Sequence, residues 1–265
     1  MNRTRFAPTP SGFLHLGNIF NLLIVQIFSE IFSADILLRI DDGDKARVRK
    51  EYVADIFRIL DILEIQPDLG PRNFEEWLTK YSAEGRIQEN RKFFHLLTES
   101  GLPQYVCKCT RTEIGSERKC VNRCASQNYG YVPGEFAIRA IYTLDDHPVI
   151  WRRDDLPSYH LSSIYDDELW KITHILRGDD LRVSTNFQKW IARFVPNSYF
   201  ESAMVMHHPL KTDGMGIKFS KSVMNQGQPL SITSDQISVL HKEAEAWVSK
   251  AVSEGGLEPP SPFGH

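Results

Sequence analysis

RFAPTPSGFLHLGN, residues 5–18, carries an arginine, two prolines, two glycines and a histidine, and then runs directly into an apolar stretch. The prolines withdraw backbone donors and fix φ, so an extended run through Phe6 has to stop there. A glycine-bearing turn between a strand and a helix leaves backbone N–H groups free at the helix N-terminus, where an anion is favoured. His15 and Gly17 stand where a nucleotide phosphate or ribose would approach, and Gly17 permits a close approach. A second reading of the H-x-G step by itself is a left-handed turn with a surface histidine.

Outward from this turn the chain alternates. TRFAP reads as a short strand, and residues 18–33 carry apolar side chains densely enough for a largely buried helix. DILLRIDD, 35–42, is nearly continuous in apolar character, as expected of a parallel strand covered on both faces. EYVADIFRILDIL repeats apolar residues at three- and four-residue steps and is an amphipathic helix. Strand, helix, strand, helix specifies an α/β sheet.

Between roughly 75 and 155 the character changes. A polar helix over 82–100 stops at Gly101 with Pro103 beyond, and cysteines, a Gly/Asn loop and strand-like FAIRAIY and PVIWRR follow. Alternation resumes with SYHLSSIYDD, WKITHILRG and the helical STNFQKWIARFV. The expected organisation is a first half of a catalytic domain at 1–74, an inserted module at 75–155, a second half at 156–205, a loop-and-helix segment at 206–253 and a tail of disordered composition at 254–265.

The bulk figures fit this picture. The 265 residues can bury a real core, and a content of 42% hydrophobic and 25% charged residues is ordinary for a soluble globular chain. A net charge of −3 argues against a generally basic nucleic-acid coat but leaves room for local basic patches. MNRTRFAPTP has no apolar signal core, and IFNLLIVQIF is broken by Gln26 and too short to span a bilayer, so a cytoplasmic protein without membrane contact is expected.

Two further clusters carry chemistry. GIKFSKS, 216–222, presents Lys218 and Lys221 around Ser220 after the glycines of DGMG. Two ammonium groups on such a loop can clamp the charge that builds on a pentacoordinate phosphate, although lysine loops are also commonly just solvated. Cys107, Cys109, Cys120 and Cys124 are the chain's only cysteines and fall within eighteen residues. In a reducing cytosol such a cluster is more often a metal site than a pair of disulfides. C-x-C, ten residues, then C-x3-C suits four thiolates around a tetrahedral Zn2+, which would staple an insert with little core of its own.

Taken together, H-x-G and K-x-S-K resemble the HIGH and KMSKS signatures of class I aminoacyl-tRNA synthetases. RFAPTPSGFLHLG, LLRIDDGDKAR, DLPSYHLSSIYDD, THILRGDDL, VSTNFQ and HHPLKTDGMGIKFSKS are, in order, similar to the blocks of glutamyl-tRNA synthetases. The resemblance implies a Rossmann-like catalytic domain, a parallel sheet with helices on both faces, interrupted by an α+β zinc-bearing insert. It implies activation of L-glutamate by ATP and Mg2+, with tRNA as acceptor and a monomeric chain. His15, Lys218 and Lys221 would be catalytic, with Gly17, Asn18 and Ser220 completing the ATP site. Arg5, Ala7, Thr9, Asp41, Tyr159 and Arg177 would hold glutamate, Arg5 as a guanidinium fork on its side-chain carboxylate.

One position departs from the family. Where glutamyl enzymes carry the glutamate of RIEDTD on the substrate amino group, this chain has Asp41, one methylene shorter, as the glutaminyl enzymes do. The family often carries zinc at a segment opening C-x-C-T-R like CKCTR, and in its short paralogues a tyrosine stands where Cys120 is found. Lys108, Arg111, Arg118, Lys119 and Arg123 surround the cysteines as a phosphate-contacting patch. The residues after Ser222 suffice for one or two helices but not for an anticodon-binding domain, which resembles the short glutamyl-Q tRNA(Asp) synthetases. These transfer glutamate to queuosine in the anticodon stem-loop of tRNA(Asp). A truncated enzyme charging a tRNA 3′ end is the neighbouring expectation, and a paralogue that only binds RNA would need neither ATP loop.

Overall fold

The computed structural model describes residues 1–114, 120, 124–211 and 228–255. In chain order the elements are β1 (Arg3–Phe6), α1 (Leu16–Phe32), β2 (Asp35–Leu38), α2 (Lys50–Ile62) and α3 (Phe74–Glu76). A π-helical turn (Trp77–Tyr81) and a 3-10 turn (Ala83–Arg86) lead into α4 (Ile87–Glu99). Then come β3 (Gln104–Cys107), α5 (Arg111–Ile114), β4 (Ala137–Ala140), β5 (Val149–Trp151) and α6 (Tyr159–Leu169). The chain continues with β6 (His174–Gly178), α7 (Arg182–Ala192), α8 (Tyr199–Ser202), β7 (Met204–His208) and α9 (Ser234–Glu254).

The chain divides into two units. The first takes Met1–Ser82, Ile172–Arg182 and the described residues from Ala203 onward; the second takes Ala83–Lys171 and Val183–Ser202. Trp77 and Tyr81 pack on the first unit's core, and the second unit begins at Ala83. It also retains α6, which packs against α4 and is tied to the 3-10 turn by Arg86 Nε and Asp166 Oδ1 at 3.3 Å.

In the first unit β1 and β2 pair in parallel, Arg3 opposite Asp35 through Phe6 opposite Leu38, and β6 and β7 do the same from His174–Met204 to Gly178–His208. The Thr173 N–H donates to the Arg3 carbonyl at 3.0 Å and the Arg3 N–H to Thr173 Oγ1 at 2.8 Å, setting the two pairs side by side. The β2 ladder is shorter than the apolar run 35–42 because its partner runs into Pro8, which has no N–H to give. Bonding continues one-sidedly, Arg39 N–H to Phe6 O at 2.9 Å and Asp41 N–H to Pro8 O at 3.0 Å. Gly70 (φ +97°) sits against the Leu38 carbonyl, which a Cβ would meet at 2.1 Å. No other residue type fits there.

Helix α1 lies on these strands with Leu22, Ile24 and Phe28 fully buried, and α9 covers it through Leu240, Ala244 and Val248. Each of the leucine, isoleucine, phenylalanine and valine side chains contributes about 1.5–3 kcal/mol of burial. Helix α9 starts at Thr233, whose side chain caps the Gln236 N–H while Gln236 reaches back. The second unit is built on an antiparallel sheet in the order β3-β4-β5, with a register shift at Ile138/Arg139. Asp155, in the left-handed region (φ 62°), gathers Arg91 (2.7 and 3.2 Å), Tyr131 Oη (3.1 Å) and Trp151 Nε1 (3.0 Å). Among the described residues no helix is long and apolar enough to cross a membrane.

Candidate functional site

The turn after β1 is held from several sides. Pro8 and Pro10 end the strand, and the Leu14 N–H donates to Asp55 Oδ2 at 2.8 Å. His15 is the N-cap of α1 with extended backbone (φ −114°, ψ 171°), so the left-handed alternative does not hold. Its Nδ1 accepts the Gly17 N–H at 3.1 Å, and its own N–H donates to Asn18 Oδ1 at 3.1 Å. Three expected ATP residues thus form one reciprocal cap. A Cβ on Gly17 would stand 3.0 Å from Cε1 and Nδ1 of the ring, so the glycine makes room for the imidazole itself.

This geometry has a chemical consequence. With Nδ1 occupied as an acceptor, a neutral His15 carries its proton on Nε2, which becomes a donor. The first turn of α1 contains no acidic residue of its own, and the carboxylate beside this helix end is that of Asp55, on the Leu14 N–H. Lys218, Ser220 and Lys221 lie outside the described residues.

The expected amino-acid residues divide between the units. Arg5 is 4% exposed on β1, a buried guanidinium rather than a surface one. Ala7 and Thr9 follow it on the loop, and the backbone of Asp41 is bonded to that loop at Pro8. The Asp41 carboxylate also receives a fork from Arg39, Nε to Oδ1 at 2.7 Å and Nη2 to Oδ2 at 3.1 Å. A carboxylate has about four acceptor positions, so two are left for another donor. Arg177 is 3% exposed on β6, opposite His207 in the register. Burial first, then the positive charges of Arg182 and Arg177, push His207 down to about 4, keeping it neutral. Tyr159 opens α6 in the second unit and is 39% exposed.

Sequence reasoning passed over Arg39, Asp55, Arg58 and His208. Asp55 and Arg58 belong to no motif. Their only signal is an acidic residue on the inward face of α2, beside Val53, Ile56 and Ile59. His208 bonds Asn21 Nδ2 through Nε2 (3.1 Å) and the Pro209 carbonyl through Nδ1 (2.9 Å). Accepting at Nε2 and donating at Nδ1, it is held neutral by burial.

The four cysteines converge in the second unit, all sulfurs within 4.8 Å of one another. Cys109 Sγ lies 3.3 Å from Cys120 Sγ and 3.8 Å from Cys124 Sγ. A tetrahedral Zn2+ with bonds of about 2.3 Å needs sulfurs about 3.8 Å apart, so the donor set fits. The Cys124 N–H points at Cys120 Sγ (3.4 Å), and Cys107, Cys109 and Cys124 are buried, Cys120 half-buried. Lys108 is exposed beside the cluster, whereas Arg118, Lys119 and Arg123 lie outside the described residues.

A family model described as "tRNA synthetases class I (E and Q), catalytic domain" matches residues 1–132 and 131–236. Glutamate–tRNA ligase 1 of Thermoanaerobacter pseudethanolicus is 31% identical over 257 residues, covering 83% of this chain and 52% of that protein. Glutamate–tRNA ligase of Sulfurihydrogenibium sp. is 32% identical over 215 residues, 68% of this chain and 45% of that one. The chain spans about half the length of the curated relatives it matches. The glutamate-tRNA synthetase of Elizabethkingia anophelis superposes with a TM-score of 0.69 at 22% identity, over 83% of this chain and 52% of that one. Methionyl-tRNA synthetase of Mycobacterium tuberculosis gives 0.60 at 10% identity, over 96% and 68%. At those identities the likeness is one of fold.

Proposed function

Because this chain belongs to the class I tRNA synthetase (E and Q) catalytic-domain family, we propose that it activates L-glutamate with ATP and Mg2+ and passes the glutamyl group to queuosine in the anticodon stem-loop of tRNA(Asp). In the first step a glutamate α-carboxylate oxygen attacks the α-phosphorus of ATP and pyrophosphate leaves. In the second, a queuosine hydroxyl attacks the adenylate carbonyl and AMP leaves. Little covalent chemistry falls to the protein, and positioning and charge stabilisation supply the rate.

The observation that carries this reading is the reciprocal cap of His15, Gly17 and Asn18 at the N-terminus of α1, on the loop that leaves buried Arg5. His15, Gly17 and Asn18 receive the phosphate region, and Lys218, Ser220 and Lys221 follow the departing pyrophosphate. Arg5 takes the glutamate side-chain carboxylate as a fork, Asp41 the α-amino group, and Ala7, Thr9 and Arg177 stand on the same unit beside them. The relatives named as glutamate–tRNA ligases support glutamate as the amino acid. Cys107, Cys109, Cys120 and Cys124 would hold Zn2+, which when bound braces the second unit without entering the reaction.

The relatives named as glutamate–tRNA ligases favour a second reading, esterification of a tRNA 3′ end. Both are tested with labelled glutamate, ATP and queuosine-bearing tRNA(Asp), followed by nucleoside mass spectrometry and periodate oxidation. Glutamate on queuosine with a terminal ribose still open to periodate is the expected result. A periodate-protected 3′ end with unmodified queuosine selects the second reading, and no acylation at either place refutes both.

A further inference from the structure

The strands that carry the proposed amino-acid pocket place three charged side chains on one face. Arg5 on β1 stands opposite Leu37 on β2. Beyond Leu38 the bonding continues in two-residue steps, Arg39 N–H to Phe6 O at 2.9 Å and Asp41 N–H to Pro8 O at 3.0 Å. In extended backbone every second residue points the same way, so Arg39 and Asp41 follow Leu37 onto the face of Arg5. Phe6, Ile36, Leu38 and Ile40 take the opposite face, in the core that holds α1. Arg5 is 4% exposed, and the side chains of Arg39 and Asp41 are 3% and 12% exposed. Arg39 Nε donates to Asp41 Oδ1 at 2.7 Å and Nη2 to Oδ2 at 3.1 Å, so one fork holds both oxygens. All three residues belong to the first unit.

We infer that Arg39 is a positioning residue that fixes the plane of the Asp41 carboxylate, and with it the direction from which Asp41 receives the substrate's amino group. This rests on the proposed adenylation, in which Asp41 takes that group. A carboxylate on a single methylene turns about its own bonds, and a fork onto both oxygens stops it. The two acceptor positions that remain then point one way. A buried pair is weak support for stability, because desolvation offsets its attraction and apolar residues would hold the strand as well. What apolar residues cannot supply is an oriented acceptor. The guanidinium also offsets the carboxylate's charge, so the substrate ammonium is recognised by direction more than by net charge. Asp41, one methylene shorter than the glutamate of the resembling enzymes, has less reach with which to correct a misplaced plane.

The test is glutamate-dependent exchange of pyrophosphate into ATP by the full chain, with glutarate, the same diacid without the amino group, as a competitive inhibitor. Folding is followed by circular dichroism and Tm. Arg39→Met keeps a packing stem and removes the fork, while Arg39→Lys keeps the charge as well. Both are expected to raise KM for glutamate about tenfold, while Ki for glutarate and KM for ATP move less than about threefold. A merely structural loss would move all three together. In an Asp41→Asn background Arg39→Met should have little further effect, because the carboxylate it orients is gone. An unchanged KM for glutamate in either folded variant, a Ki for glutarate that rises in step, or additive losses in the double variant overturn the inference and leave adenylation intact. Absence of exchange with glutamate by the unaltered chain overturns adenylation and the inference with it.

Discussion

At the residue scale the site is a set of backbone donors and side chains that hold each other. Gly17→Ala would push a methyl group against the His15 ring, which must then swing off its cap. Loss of that cap is expected to cost about 1 kcal/mol, read as a lower Tm. The swing is also expected to raise KM for ATP about tenfold. Arg5→Lys keeps the charge but loses the fork, and KM for glutamate is expected to rise about ten- to hundredfold at nearly constant KM for ATP. His207 supplies a pH prediction. The unfolded chain binds a proton as pH falls through 6.5, whereas the folded chain resists until about 4, so stability is lost across that window. His174 and His208 shift in the same direction through burial and add to it. Thermal melts between those pH values should show a falling Tm, and His207→Gln should flatten the slope.

At this scale the sequence spoke clearly where chemistry is local. His15, Gly17 and Asn18 lie within four positions and bond one another, although the H-x-G step by itself left a second reading open and Asn18 entered only through the resemblance. Asp55 was silent because its partners Leu14 and Leu230 are backbone atoms of distant residues, and no side-chain pattern marks them. The fork from Arg39 onto Asp41 was equally hidden, since the sequence assigned Asp41 to the substrate and gave Arg39 no role.

At the element scale, apolar density located α1, periodicity located α2, and the Gly101 and Pro103 stop located the end of α4, whose first turn begins at Ile87 rather than 82. Strand limits were less legible. β2 stops where its partner meets Pro8, and β4 and β5 are shorter than the apolar runs that contain them, because turns take up the ends. Nothing announced the π-helical turn at Trp77–Tyr81, which is set by packing rather than by propensity. The cysteine-bearing elements carry their own prediction. The purified chain should hold about one zinc, and Co2+ substitution should give the thiolate charge-transfer absorption of a tetrahedral site. Cys109→Ser, removing the sulfur nearest both Cys120 and Cys124, should abolish that absorption and lower Tm. Four freely reactive thiols in a metal-free, fully folded preparation would contradict the site.

At the scale of the whole molecule, one unit gathers β1, β2, β6, β7 and α1, and with them His15, Arg5, Asp41 and Arg177. The other gathers the cysteines and Tyr159. The chain leaves the first unit after Ser82, returns at Ile172, leaves again at Val183 and returns at Ala203. Within the second unit α6 packs against α4, α8 and β5, long-range partners that periodicity does not name. The central claim is that the first unit adenylates an acidic amino acid. Pyrophosphate exchange into ATP, measured without RNA across glutamate, glutamine and aspartate, tests it most directly. Exchange with glutamate, well above that with the other two, is the predicted result; no exchange with any of them, or preference for glutamine, would contradict it.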